Sequence, residues 1–114
     1  MKKSDEDHRL AKLVGKSIAN RRIEKGLTQE EVAERLGVGY EAISRMERGV
    51  IMPTIAKIIQ LAEVFDTPVD TLLMESSNRV TDQAIVLADT LQNLSPSNRE
   101  FLLGMIKELA ARMD

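Results

Sequence analysis

The stretch "TQEEVAERLGVGYEAISRMERG", residues 28–49, decides the fold of this chain. Its first half carries the clearest helix signal in the sequence. Thr28 stands where an N-cap belongs, and Glu31 follows three residues on, the spacing of a capping box. Val32, Ala33 and Leu36 form one apolar face, and Gly37 stops the helix. Two turns or so cannot stand alone in water, so this helix needs neighbours. A second short helix fits Tyr40 to Arg48. Ile43 and Met46 lie three apart on it and point inward, which leaves Tyr40, Glu41, Ser44, Arg45 and Arg48 on other faces. Between the two helices, Gly37 permits the positive φ that a tight turn needs. Val38 can plug the angle, and the small Ala33 lets the backbones approach.

Working outward, the first helix is expected over about 5–25, with Ser4 as its cap. Asp5, Glu6 and Asp7 suit the positive end of its dipole. Leu10, Leu13, Val14 and Ile18 then recur at helical spacing up to a stop at Gly26. On the other side, "PTIAKIIQLAEVFD" predicts a helix with Ile55, Ile58, Leu61, Ala62 and Phe65 as its stripe. Pro68 opens one more turn at N1. The polar "ESSNR" at 75–79 breaks the apolar pattern and reads as a connection. Two helices follow, capped by Thr81 and by Ser95 with Pro96 at N1, and a short connection predicts that they pair antiparallel. The expected organisation is a domain at 5–74, a linker at 75–80 and a helical hairpin at 81–114.

Composition bounds the function. Of 114 residues, 43% are hydrophobic and 30% charged, the balance of a soluble globular chain. Its three aromatics, Tyr40, Phe65 and Phe101, leave an aliphatic core. No period-two alternation persists, so the fold class is all-α. The absence of cysteine excludes disulfides and thiolate metal sites, and suits the cytoplasm. No apolar run approaches the roughly 20 residues that span a bilayer. The N-terminus lacks the apolar run of a signal peptide. His8 is the single histidine, so no metal or other cofactor is expected. No Ser–His–acid set, phosphate loop or convergent carboxylate pair is legible, which points away from an enzyme.

Two short helices around a glycine turn are the helix-turn-helix arrangement, whose second helix enters the DNA major groove. The run from Arg21 to Leu73, "RRIEKGLTQEEVAERLGVGYEAISRMERGVIMPTIAKIIQLAEVFDTPVDTLL", resembles the Xre/Cro/phage-repressor (lambda-repressor-like) family of DNA-binding domains. Its marks are Arg22, "GLTQEEVA", Gly37, "IS", "ERG", Pro53 and "LAEVF", in order. The resemblance spans roughly Val14 to Leu73. It implies five helices around one core, with helices two and three as the reading motif, and double-stranded DNA as partner. Tyr40, Glu41 and Arg45 match the base-facing positions. Arg45 can pair bidentately with guanine, and Glu41 can accept from cytosine or hold Arg45 four residues along. Gln29 matches a phosphate-touching, helix-bracing glutamine, and a helix N-terminus offers free N–H groups there. Ser44 and Arg48 suit backbone contacts, with Lys57 as a further candidate. Arg22 and Glu47 match a structural ion pair.

One departure stands out. Relatives usually carry basic residues after "ERG", whereas this chain has Val50, Ile51 and Met52. Apolar side chains on an exposed loop need a cover, either a second subunit or the C-terminal helices. Charge agrees: residues 10–74 hold nine basic and nine acidic side chains. Bulk attraction to phosphate therefore does little, and aimed contacts with two-fold avidity must supply affinity. Leu91, Leu94, Phe101, Leu102, Met105, Ile106, Leu109 and Met113 exceed what a two-helix hairpin can bury by itself, so they are assigned to homodimerisation. The expected function is a sequence-specific transcriptional regulator, by default a repressor, on a roughly palindromic operator. The alternative is an adaptor or antitoxin-like protein whose helical surfaces bind another protein. A small-molecule effector at the hairpin is a third possibility, though about 35 residues make a poor pocket.

Overall fold

The computed structural model describes the backbone over residues 2–113 and the side chains from Asp5 onward. Among the described residues seven helices follow one another: α1 (Lys2–Glu24), α2 (Gln29–Leu36), α3 (Tyr40–Glu47), α4 (Ile55–Val64), α5 (Val69–Met74), α6 (Val80–Gln92) and α7 (Pro96–Ala111). The class is all-α, as the missing alternation required.

The core is aliphatic with one aromatic. Ile18, Val32, Ile43, Leu61, Phe65 and Leu72 are its largest fully buried side chains, one from each of α1 to α5 and Phe65 from the residue closing α4. Burying a side chain of this size contributes about 1.5–3 kcal/mol each, before chain entropy is subtracted. That is how helices of six to ten residues hold together here. The packed pairs are α1 with α3 and α5, α2 with α3 and α4, α4 with α5, and α5 with α6. The long α1 is thus the spine on which α3 rests.

Several local expectations shift. α1 begins at Lys2, so Ser4 stands inside its first turn and not at a cap; its side chain lies outside the described residues. Leu10 is exposed, because the packed neighbours of α1 meet it from Ala11 onward. Ile55 is 78% exposed and leaves the α4 stripe, since the first helical residue faces away from the core reached by Ile58. Pro68 is the N-cap of α5 with extended backbone, one position before N1. Thr81 does not cap α6, which starts at Val80 with Arg79 as N-cap. Ser77 serves that turn instead: its hydroxyl accepts from the Arg79 N–H and donates to Asp82.

The connection at 75–79 is held on both sides. Ser76 is buried, and Glu75 takes two bonds from the Arg21 guanidinium, at 3.1 and 2.6 Å. Ser17 adds a hydroxyl 3.0 Å from the Leu72 carbonyl. Beyond it the packing thins. Neither α6 nor α7 contributes a buried residue among those described. Arg99 donates to the carbonyls of Leu91 and Leu94, both at 3.1 Å, and so ties α7 to the turn. Farther along, α7 stands away from the rest. Packing between these two helices is thin within one chain, where Leu91, Leu94 and Leu102 are half-buried. The radius of gyration is 16.4 Å, against about 13 Å for a compact globule of this length. Among the described residues no helix is long and apolar enough to cross a membrane.

Candidate nucleic-acid interface

The interface is built from the α2 cap upward. The Glu31 N–H donates to the Thr28 hydroxyl at 3.0 Å, and the Thr28 N–H donates to the Glu31 carboxylate at 2.9 Å. This reciprocal box satisfies two donors that a helix start leaves orphaned. The Thr28 N–H, then its hydroxyl, hold the Glu31 carboxyl below its ordinary value. At the other end Gly37 adopts φ 71°, and the Val38 N–H reaches the Ala33 carbonyl at 3.0 Å. Glycine takes this left-handed conformation at little cost. The chain reverses there, and Gly39 starts α3.

Ile43 and Met46 are buried on the inner side of α3. The helical repeat then leaves Tyr40, Glu41 and Arg45 exposed on the outer side. Glu41 and Arg45 face each other at 3.8 Å, four residues apart. Such an exposed pair is worth well under about 1 kcal/mol, so Arg45 can leave it for a base at small cost. Ser44 is half-buried and accepts from Arg48 Nε at 3.2 Å, which places these two side chains together. Tyr40 shares an open hollow with Thr28, Gln29 and Glu30 at the start of α2. Lys57 stands apart, half-buried in the first turn of α4.

Behind this surface lies a bonded knot. Arg22 Nε and Nη2 donate to Glu47 at 2.7 and 3.1 Å, and Arg22 Nη1 donates to the Leu27 carbonyl at 2.9 Å. Gln29 adds a third donor to Glu47 at 2.9 Å. The two charged side chains are 16% and 6% exposed. The bond to Glu47 raises the Arg22 pKa, against the opposing effect of burial. One carboxylate at the end of α3 therefore fastens α1, the loop before α2, and α2 itself. The Gln29 amide is engaged inside this knot.

A helix-turn-helix family model matches residues 18–72. The HTH-type transcriptional regulator y4dJ of Sinorhizobium fredii is 46% identical over 54 residues, which cover 47% of this chain and 70% of that one. The chain belongs to the Xre/lambda-repressor-like helix-turn-helix family. As a member of it, the protein is a DNA-binding transcriptional regulator. The cryptic phage CTXphi transcriptional repressor RstR of Vibrio cholerae is 26% identical over 95 residues, 83% of this chain and 86% of its own. Among solved structures, the clp gene regulator ClgR of Corynebacterium glutamicum superposes with a TM-score of 0.59 at 26% identity. That match covers 73% of this regulator and 90% of ClgR.

Sequence reasoning missed one residue that positions the whole site. Gly15 lies in the middle of α1, and a Cβ there would stand 2.2 Å from the Met46 carbonyl oxygen and 2.6 Å from that of Glu47. The end of the recognition helix thus rests directly on the backbone of α1. Gly49 closes the same contact from the other side: at φ 73°, its missing Cβ would lie 2.6 Å from the Lys12 Cα. The available signal was a glycine interrupting an otherwise good helix, which usually marks a close approach.

Proposed function

We propose that this regulator is a cytoplasmic repressor that binds a roughly palindromic operator as a homodimer, with Tyr40, Glu41 and Arg45 reading bases. The observation that carries the reading is the outward face of α3, held by buried Ile43 and Met46 and by the Glu47 knot. Arg45 is the one arginine on that face at a base-reading position, and a bidentate contact to guanine discriminates by about 1–3 kcal/mol. Gln29, Ser44, Arg48 and Lys57 take the phosphate contacts. Repression rests on the likeness to the Vibrio cholerae repressor, whose match runs into the C-terminal helices. Residues 75–80 connect the DNA-binding domain to those helices, which supply the dimer.

The test is Arg45→Ala. Sites selected from random DNA by the wild-type protein should lose discrimination at one position of each half-site, with melting unchanged. Unaltered footprints on those sites would remove Arg45 from the base-reading set. A second reading, an adaptor for another protein, draws on the exposed apolar side chains of α7 and of the 50–52 loop. An unrelated chain co-purifying at fixed stoichiometry, together with absent selection of DNA, would favour it.

A further inference from the structure

A cleft runs along the seam between the DNA-binding domain and the connection at 75–79, and α3 contributes no residue to its lining. Val14 of α1 and Ile58 of α4 line it from the core. Leu10, Met52 and Leu73 line it from the surface and are 41%, 42% and 42% exposed. Met52 is held in place between Gly49, wedged against α1, and the buried Pro53. The volume is about 350 Å³, at the low end of the roughly 300–1,000 Å³ of small-molecule sites. One lining side chain has no role in the fold. Ser76 is buried, yet its hydroxyl has no hydrogen-bond partner among the described residues, whereas buried hydroxyls are ordinarily paired. Two guanidiniums, Arg9 and Arg79, also line the cleft, and both are loosely engaged. Arg9 bonds the exposed Glu6 on its own helix, and Arg79 Nε stands 3.4 Å from Asp82. Water solvates Glu6 when Arg9 turns away, and Asp82 keeps the Ser77 hydroxyl at 2.7 Å when Arg79 does.

We propose that this cleft binds a small apolar carboxylate, and that its occupancy sets how the C-terminal helices stand relative to the DNA-binding domain. The chemistry of the lining selects the ligand class. Leu10, Met52 and Leu73 offer apolar surface to a short hydrocarbon chain. The charged side chains lining the cleft are both arginines, whose forked donors match a carboxylate. The Ser76 hydroxyl can rotate to donate to the same head group. The regulatory step follows from which segments meet there. Residues 76–79 line one part of the cleft, and α1, α4 and the end of α5 line the rest. A ligand that touches both favours the arrangement in which they lie together. Helix α6 begins at Val80, directly after Arg79, so that arrangement aims the helices assigned to the dimer. This regulatory step rests on the homodimer reading, whereas the binding site does not.

The test titrates full-length protein with octanoate, and with octanol and acetate as controls, by calorimetry and thermal melting. Octanoate should bind saturably, one per chain, and raise the melting temperature. Octanol and acetate, which lack the charge or the chain, should each bind at least about tenfold more weakly. Leu10→Trp changes an exposed position and fills the cleft, so it should abolish octanoate binding in a protein that melts as wild type does. Arg79→Gln, on an exposed side chain that carries no part of the core, should weaken octanoate about tenfold and leave octanol unchanged. Octanoate bound equally well by both variants, as capture on the exposed face of α7 would give, overturns the site; so does octanol bound as tightly as octanoate. On duplexes selected from random DNA, octanoate should shift the affinity of wild type by at least about fivefold and leave that of Leu10→Trp unmoved. Saturable binding with unchanged operator affinity overturns the regulatory step. Sedimentation separates the parent reading: a monomeric wild type would sink homodimerisation and not the carboxylate site.

Discussion

Gly15 shows how one missing atom positions a recognition helix. Replacing it by alanine should gain about 0.5–1 kcal/mol of helix propensity. Against this stands a Cβ 2.2 Å from a main-chain oxygen that no rotamer change can relieve. Overpacking of this kind costs about 1–3 kcal/mol, more if α3 must move. Gly15→Ala should therefore lower urea stability, and a variant as stable as wild type would show that α1 and α3 do not meet so closely. Glu47 poses the opposite case, a charge that is held and not excluded. Glu47→Ala leaves the Arg22 guanidinium half-sheltered and unpaired, with an expected loss of about 3–5 kcal/mol by denaturant titration. A loss below about 1 kcal/mol would mark the pair as solvent-screened. Both residues act on DNA binding through the placement of α3, so each variant should weaken all operators alike and leave sequence preference unchanged.

At the scale of the helix, α2 depends on its cap because eight residues supply few internal bonds. Thr28→Ala should cost about 1 kcal/mol, read as a fall in urea midpoint without a change in slope. Its partner gives a pH signature. Glu31 has a folded-state pKa below its ordinary value of 4.5, so the carboxylate form stabilises the fold. That contribution is present above the unfolded value and fades as pH falls through the depressed folded one. Glu31→Gln, which keeps a capping side chain without the charge, should flatten the loss of stability below about pH 4.5. An unchanged acid limb would remove Glu31 from it. This element was legible in full from the sequence because capping is local: donor and acceptor lie within four residues. The start of α6 was misplaced for the same reason reversed, since Ser77 and Asp82 bridge the turn from outside the expected cap position.

At the scale of the molecule, the first five helices close around a shared core while the last two do not. Phe101, 70% exposed, and Leu109 lie on α7, which has no fully buried residue among those described. Sedimentation should therefore show a concentration-dependent dimer. Phe101→Lys with Leu109→Lys should shift it to monomer without lowering the stability of the DNA-binding domain. Loss of folding in that double variant would instead mean that α7 supports the core. Dimer loss should also cost operator affinity steeply, because residues 10–74 carry no net charge and one half-site offers few phosphate contacts.

By itself the sequence determined the helix-turn-helix, its capping box, its left-handed glycine turn and the outward set Tyr40, Glu41 and Arg45. These follow from periodicity and from bonds spanning a few residues, which any local window contains. Only the tertiary structure decided that Gly15 and Gly49 clamp α3 to α1, that Gln29 joins Arg22 on Glu47, and that Arg21 and Ser17 hold the end of α5. Those contacts join residues 18 to 55 positions apart, whose meeting depends on how five helices cross, and crossing angles are set by packing that no single stretch encodes. The "VIM" loop belongs to both: its missing charges are plain in the sequence, but only the fold shows it rigid, uncovered and joined to the helix that reads DNA.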